Sequence, residues 1–419
     1  MHRFEFKGKE LYCESVPVSR VAASVGTPFY LYSVNTFLDH YNKLAKAFSS
    51  VPTTICFSMK ANSNLTILQA LVNRGAGLDV VSGGELARAK RVGVDPKKIV
   101  FASVGKTVAE IEEAIRTGIL MFNVESTQEL ETIDRVAGRL GKKQTVAIRL
   151  NPDVRPDTHH YITTGSKENK FGIEMGAAHK LFTNSGRYPN LRLAGIHIHI
   201  GSQITRSKPF REAIQKCLDF IANVERAGGA IEYLNIGGGL GIVYSDEKPQ
   251  TADAFAKAIL PLLKKRPGLK LVLEPGRFIS GNSGILVAKV IYEKKGTVKS
   301  FLIVDAAMND LIRPSFYGAY HEIVPVRKNG SVTVKTDIVG PICESGDFLA
   351  KDRKIPTLKP GDLLAVMSCG AYGFVMSSNY NSRPRCPEIV VKGNKFFVAR
   401  RRETMKDILG YERIVSEVV

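Results

Sequence analysis

The sequence predicts an α/β fold: a (β/α)8 barrel of the TIM type, followed by a C-terminal β-domain of sandwich or barrel-like character. Between residues 50 and 280, eight apolar strand-like runs alternate with amphipathic helical stretches, the pattern of strands that each return through a helix. The runs are continuously apolar, as strands covered on both faces are. That and their number favour a closed barrel over the doubly wound open sheet, the structural alternative. After about residue 285 helix signals nearly vanish, and β-rich runs are punctuated by "NG" and "PGD" turns.

Residues 1–35 hold "RFEFKGKELYCES" and "TPFYLYS". They read as strands that join the C-terminal domain, because chain termini often meet. The barrel is expected over residues 36–284. Its strands are "TTICFSMK", "GLDVVS", "IVFASV", "MFNVES", "TVAIRLNP", "LAGIHIHIGS", "YLNIGGG" and "LVLEPGR". Helical stretches such as "NLTILQALVNRG", "SGGELARAKRVG", "TVAEIEEAIRTG" and "FREAIQKCLDFIANVERAGG" fill the gaps, several of them closing on glycine. The β-domain is expected over residues 285–419, with "ILVAKVIYEKKG", "KSFLIVDAAM", "HEIVPVRKNGSVTVKTDIVG", "GDLLAVMSCGAYG" and "PEIVVKGNKFFVARRRE".

The chain has 419 residues, 44% of them hydrophobic and 24% charged, which suits a globular protein of two domains. No apolar run reaches the ~18 residues of a membrane span, and "MHRFEFKGKELYCES" holds no secretory apolar core. Six cysteines are scattered without a C-x-x-C pair, which argues against a zinc site or a disulfide framework and for a reducing cytoplasm. The net charge of +19 raises a nucleic-acid partner as a distant reading. The basic residues are spread along the chain, with only short runs at Lys264 to Arg266 and Arg400 to Arg402. A solvated basic surface with some steering of anionic ligands explains them better.

Barrel chemistry collects where strands end, and these ends carry unusual residues. They include Lys60, Asp79, Arg149, His197 and His199, Gly201-Ser202, Gly237-Gly238-Gly239 and Glu274-Pro275-Gly276-Arg277. Singly, each has an ordinary reading: a surface lysine, a turn, a core histidine. Together at one face they suit one ligand. The triglycine offers backbone N–H groups as an anion nest. Loops after strands seven and eight commonly hold phosphate, so Gly276 and Arg277 are expected on its other side. Lys60 reads as an amine that condenses with an aldehyde. Phosphate and aldehyde together point to pyridoxal 5'-phosphate. Glu274 is placed to keep a ring nitrogen protonated, and His199 to stack on the ring.

The segments "FSMKANSN", "GLDVVSGGEL", "RLNPDV", "HIHIGSQ", "NIGGGLGIVY", "EPGR", "VDAAMNDLIRPSFYGAYH", "CESGDFLA" and "GAYGFVMSSNYNSRPR" closely resemble the diaminopimelate decarboxylases. These are alanine-racemase-like, fold-type III pyridoxal phosphate enzymes, and the likeness runs from about residue 25 to 400. The resemblance implies that Lys60 carries the cofactor and His199 stacks on it. It makes Ser202, Gly239 and Gly276 phosphate contacts and gives Glu274 the ring nitrogen; Asp79 and Gly238, from the strand ends, are also expected at the cofactor. Arg277, Arg313 and Tyr317 would hold the substrate's distal carboxylate, and Glu344 its distal amine. Tyr372 would lie near both phosphate and substrate. Cys343 would be the general acid, donated across a homodimer with shared active sites. The implied reaction takes meso-2,6-diaminopimelate to L-lysine and carbon dioxide, the last step of lysine biosynthesis.

Some positions depart from the family pattern: Ala307 for glycine, Asn235 for aspartate, Cys386 for proline, and "FASVGKT" after the third strand. None is expected to touch a catalytic atom. The alternatives are a same-fold decarboxylase of another basic amino acid or of carboxynorspermidine and, more distantly, a non-catalytic pyridoxal phosphate-binding homologue. The Arg313/Tyr317 pair beside Glu344 argues against the first, and an intact Lys60, Glu274 and Cys343 against the second.

Overall fold

The structure, a computed structural model, describes residues 2–154 and 170–416. It divides into two compact units, residues 37–279 and residues 1–36 with 280–419.

The first unit is a closed barrel of eight parallel strands. In chain order they are β1 (Thr53–Ser58), β2 (Gly77–Val80), β3 (Ile99–Phe101), β4 (Met121–Val124), β5 (Gln144–Arg149), β6 (Leu191–His197), β7 (Tyr233–Asn235) and β8 (Lys270–Leu273). Each pairs with the next, and β8 returns to β1 through Leu271 opposite Thr53 and Leu273 opposite Ile55. All eight runs expected from the sequence become its staves. The intervening helices are fixed locally. Asn64 caps Leu65–Val72 by accepting from Thr66 and Ile67 N–H. Ser82, expected as the end of the second strand, is instead the cap of Gly83–Arg91. A reciprocal Thr107/Glu110 capping box starts Val108–Thr117.

The barrel interior is layered. Cys56, Val100, Met121, Ala147 and Val272 form a buried apolar floor. Strand side chains alternate, so the residue two positions on points the same way. From those floor positions this gives Ser58, Ala102, Asn123, Arg149 and Glu274, one layer nearer the C-terminal mouth and polar at all but Ala102. Tyr233, packed against the same floor, places Asn235 with them. A polar layer thus sits on an apolar one.

The second unit is mostly strand. Its large sheet runs in the order Phe348–Pro356, Thr333–Val339, Ser300–Val304, Gly284–Lys295, Phe29–Ser33, Glu388–Lys392, Lys395–Arg400. The strand Phe29–Ser33 is fully buried between antiparallel Gly284–Lys295 and parallel Glu388–Lys392. A separate three-stranded sheet holds Phe4–Lys7, Glu10–Cys13 and Val16–Pro17. Phe4, Leu11, Val21, Leu31, Ile285, Ala365 and Ile389 share one core. The N-terminal stretch read wholly as strands also contains a helix, Val18–Val25. The turn-rich stretch around Arg313 contains another, Arg313–Tyr317.

Candidate active site

Strand β1 ends at Ser58, and the chain turns through Met59 and Lys60. Ser58 N–H donates to Pro275 O, and Met59 N–H to Asp79 O, both at 3.1 Å. The Lys60 turn is therefore tied to the ends of β8 and β2. Ala61 is buried, and Asn62 Oδ1 accepts from Asn64 N–H, which leads the chain into the next helix. Within this frame Lys60 stays partly exposed, with Nζ 3.8 Å from the buried Asp79 Oδ2.

Two acids lie beneath it. Asp79 Oδ2 accepts from Ser58 Oγ at 2.6 Å, while Oδ1 is buried with no hydrogen-bond partner among the described residues. Burial, then the Glu274 charge, push its carboxyl up to about 8, against the opposing pull of Lys60. Glu274 Oε1 accepts from Asn235 Nδ2 at 2.6 Å and Asn123 Nδ2 at 2.8 Å. Its Oε2 lies 3.3 Å from His197 Nε2, at ion-pair distance. Burial alone would raise Glu274; His197, Lys60 and Asn235 outweigh it and hold the carboxyl well below the ordinary range. The pair therefore divides its work: Glu274 is ionised and Asp79 keeps a proton at neutral pH.

His199 lies beyond the end of β6, half-buried. Its Nδ1 accepts from Gly238 N–H at 3.3 Å. Burial, then the Lys60 and Arg149 charges, lower its pKa well below the usual value, so the ring is neutral. Arg149 is itself buried and ion-paired to Glu125.

The loops after β7 and β8 are close to the limit of approach. A Cβ on Gly238 would lie 2.3 Å from Glu274 O, and one on Gly239 2.5 Å from Gly201 O. A Cβ on Gly276 would meet Ala61 Cβ at 3.0 Å. Only part of the expected triglycine nest is open. Gly237 N–H donates to Asn235 Oδ1 and Gly238 N–H to His199. Among the described residues, no hydrogen bond is formed by Gly239 N–H. Arg277 begins a short helix, Arg277–Ser280. Its Nη2 donates to Ser202 Oγ at 3.1 Å and its Nη1 to Tyr244 OH at 2.6 Å. A bare glycine cradle, a cation beside it, an ionised buried acid and an amine 3.8 Å from the buried Asp79 side chain fit a phosphorylated pyridine aldehyde.

The remaining expected residues belong to the second unit. Asp347 ties the "CESGD" turn to Met308, accepting from Ile342 N–H and Met308 N–H. Ser315 Oγ donates to Gly346 O at 2.5 Å, so that turn meets the helix bearing Arg313 and Tyr317. Arg313 is buried and Tyr317 half-buried, while Cys343 and Glu344 are exposed. Cys343 N–H donates to Asn381 Oδ1. Tyr372 sits at φ +56°, in the left-handed region, next to Gly373, where a Cβ would lie 2.5 Å from Cys369 O. The other five cysteines are buried. Burial raises all their thiols, Cys217 and Cys369 to about 12.

Four participants escaped the sequence reading: Ser58, Asn123, Tyr244 and the His197 contact to Glu274. The signal for Asn123 was an amide inside an otherwise apolar strand. One expectation is corrected. Asn235 was to touch no catalytic atom, yet its amide donates to Glu274, because it occupies the same inward layer.

Residues 34–281 match the family of pyridoxal-dependent decarboxylases through its pyridoxal binding domain. The diaminopimelate decarboxylase of Vibrio cholerae is 46% identical over 408 residues, covering 97% of this chain and 98% of its own. The crystal structure of diaminopimelate decarboxylase from Helicobacter pylori complexed with L-lysine matches with a TM-score of 0.90 at 40% identity, covering 94% of this chain and 98% of that one. The corresponding enzyme from M. jannaschii in co-complex with L-lysine gives 0.94 at 37% identity, covering 99% of each chain. Matched along nearly its whole length by such relatives, and over its barrel by the pyridoxal binding domain, the chain belongs to the diaminopimelate decarboxylase family of pyridoxal-dependent enzymes.

Proposed function

We propose that this protein removes the carboxylate from one end of meso-2,6-diaminopimelate, giving L-lysine and carbon dioxide. The observation that carries the reading is the ionised Glu274, set among Asn123, Asn235 and His197 in the barrel unit that holds Lys60. Pyridoxal 5'-phosphate supplies a ring that withdraws electrons from the reacting carbon.

The protein's own groups do the rest. Lys60 would tether the cofactor's aldehyde carbon, with Asp79 beside its amine. Glu274 would accept a charge-assisted hydrogen bond from the ring nitrogen and keep a proton there. His199 would stack on the ring. Ser202, Gly238, Gly239, Gly276 and Tyr372 would hold the phosphate, with Arg277 beside it. Arg277, Arg313 and Tyr317 bind the substrate's distal carboxylate, Glu344 its distal amine, and Tyr372 also borders the substrate. As the carbon–carbon bond breaks and carbon dioxide leaves, the electron pair left on the α-carbon takes a proton from the Cys343 thiol. The thiolate is reprotonated from solvent.

A homodimer with shared active sites belongs to this reading, supported by the exposure of Cys343 and Glu344 on their turn. So does a cytoplasmic location. Among the described residues, no helix is long and apolar enough to cross a membrane.

The test is carbon dioxide release from diaminopimelate, lysine and ornithine, each offered alone. Diaminopimelate is expected to turn over fastest; faster release from ornithine would remove the substrate assignment. An absorbance band of lysine-bound cofactor, absent from Lys60→Ala, checks the tether.

A further inference from the structure

Arg313 is buried, and a buried guanidinium needs acceptors that hold it without neutralising it. One comes from an unexpected group. Arg313 Nη1 lies 2.9 Å from His321 Nε2, and His321 Nδ1 lies 2.8 Å from Met367 O. His321 is fully buried. A guanidinium can only donate, and a carbonyl can only accept. The proton on this imidazole is therefore on Nδ1, and the lone pair on Nε2 faces Arg313. Hydrogen-bond chemistry alone fixes the ring as neutral and as one tautomer.

The histidine is clamped in turn. Its carbonyl oxygen accepts from Arg353 Nη1 at 2.8 Å, and the Arg353 guanidinium lies over the Tyr320 ring, 3.9 Å from its centroid. Cys369 Sγ is 3.7 Å from Nδ1, and burial raises its thiol to about 12, so that neighbour is uncharged.

We infer that His321 is a positioning residue for substrate selection. It holds one arm of the Arg313 fork, Nη1, through a neutral acceptor that adds no opposing charge of its own. A carboxylate at that place would add a negative charge beside the arginine, and an apolar ring would leave that arm without this acceptor. This rests on the assignment of Arg313 to the distal carboxylate made above.

Lysine and cadaverine differ only by that carboxylate, so their relative affinity reads Arg313 directly. Each is titrated calorimetrically into the holoenzyme, with thermal stability recorded for every variant. His321→Phe keeps a ring of similar size and loses both hydrogen bonds. It is expected to weaken lysine binding about tenfold, the loss of one charge-assisted hydrogen bond, and to leave cadaverine unchanged. His321→Gln offers an acceptor and a donor and is expected to retain most of the lysine preference. Arg313→Ala is the control on the underlying assignment. If it leaves the lysine-to-cadaverine ratio intact, Arg313 does not read the carboxylate, and the inference falls with it. If Arg313→Ala abolishes the ratio while a stable His321→Phe preserves it, the inference alone is overturned. Where His321→Phe does not fold, His321→Gln decides: a retained ratio supports the clamp, and a folded variant with the ratio abolished overturns it.

Discussion

Asp79 and Glu274 are buried acids in one barrel, driven in opposite directions by their neighbours. Asp79 is raised to about 8 by burial and by Glu274. The folded protein therefore keeps a proton that the unfolded chain gives up near pH ~4. Its contribution to stability declines as pH rises between about 4 and 8. Glu274 is depressed, so the stability it brings is present above its unfolded value of about 4.5 and is lost on acidification. Neutral His199, lowered well below its ordinary value, adds stability as pH rises towards about 6.5, so the loss due to Asp79 should show in the melting temperature of the cofactor-free protein between about pH 6.5 and 8, and Asp79→Asn should flatten that slope. Glu274→Gln keeps the shape of the side chain and removes its charge. We expect a fall in kcat on the order of 10²-fold or more, measured with cofactor content held equal. At this scale Lys60, His199 and Glu274 were legible because charged or titratable side chains stand out at the ends of apolar runs. Asn123 and Asn235 were not. An asparagine within a short apolar strand shows its purpose only once period-two alternation is anchored to a known floor residue such as Met121.

Elements carry their own constraints. The loops after β7 and β8 pass so closely that a methyl group at Gly238 would press on the Glu274 carbonyl. Gly238→Ala should leave a folded barrel with cofactor affinity reduced at least about tenfold, as backbone groups at the cradle are forced apart; equilibrium dialysis of the cofactor measures it. Glu110 serves two helices, accepting from Thr107 N–H in its own capping box and from Gly83 N–H of the preceding helix. Removing it as Glu110→Ala should cost about 1–2 kcal/mol in chemical denaturation, with activity intact. The eight barrel strands were readable because burial on both faces writes a strand as an unbroken apolar run. The helix Val18–Val25 was hidden by its length. It spans only eight residues, and its valines favour strands by local preference, so only its packing on Leu11 and Phe29 decides its form. Arg313–Tyr317 is shorter still.

The whole molecule carries a net charge of +19, and its cofactor and substrate both bear negative groups. Steering by such a field is screened over about 8–10 Å at ordinary salt. Association of the phosphate-bearing cofactor with the cofactor-free protein should slow as sodium chloride rises from about 10 to 300 mM, while its dissociation rate changes little; stopped-flow absorbance separates the two rates. The division into a barrel and a strand-rich unit was visible as a change of texture near residue 285. The pairing partners of the first strands were not, because register between distant segments leaves no local trace. That pairing has a consequence for synthesis. The strand Phe29–Ser33 is translated well ahead of both strands it lies between, Gly284–Lys295 and, later still, Glu388–Lys392. In that interval an apolar ribbon has first two edges and then one edge unpaired, which exposes the growing polypeptide to pairing with its own kind.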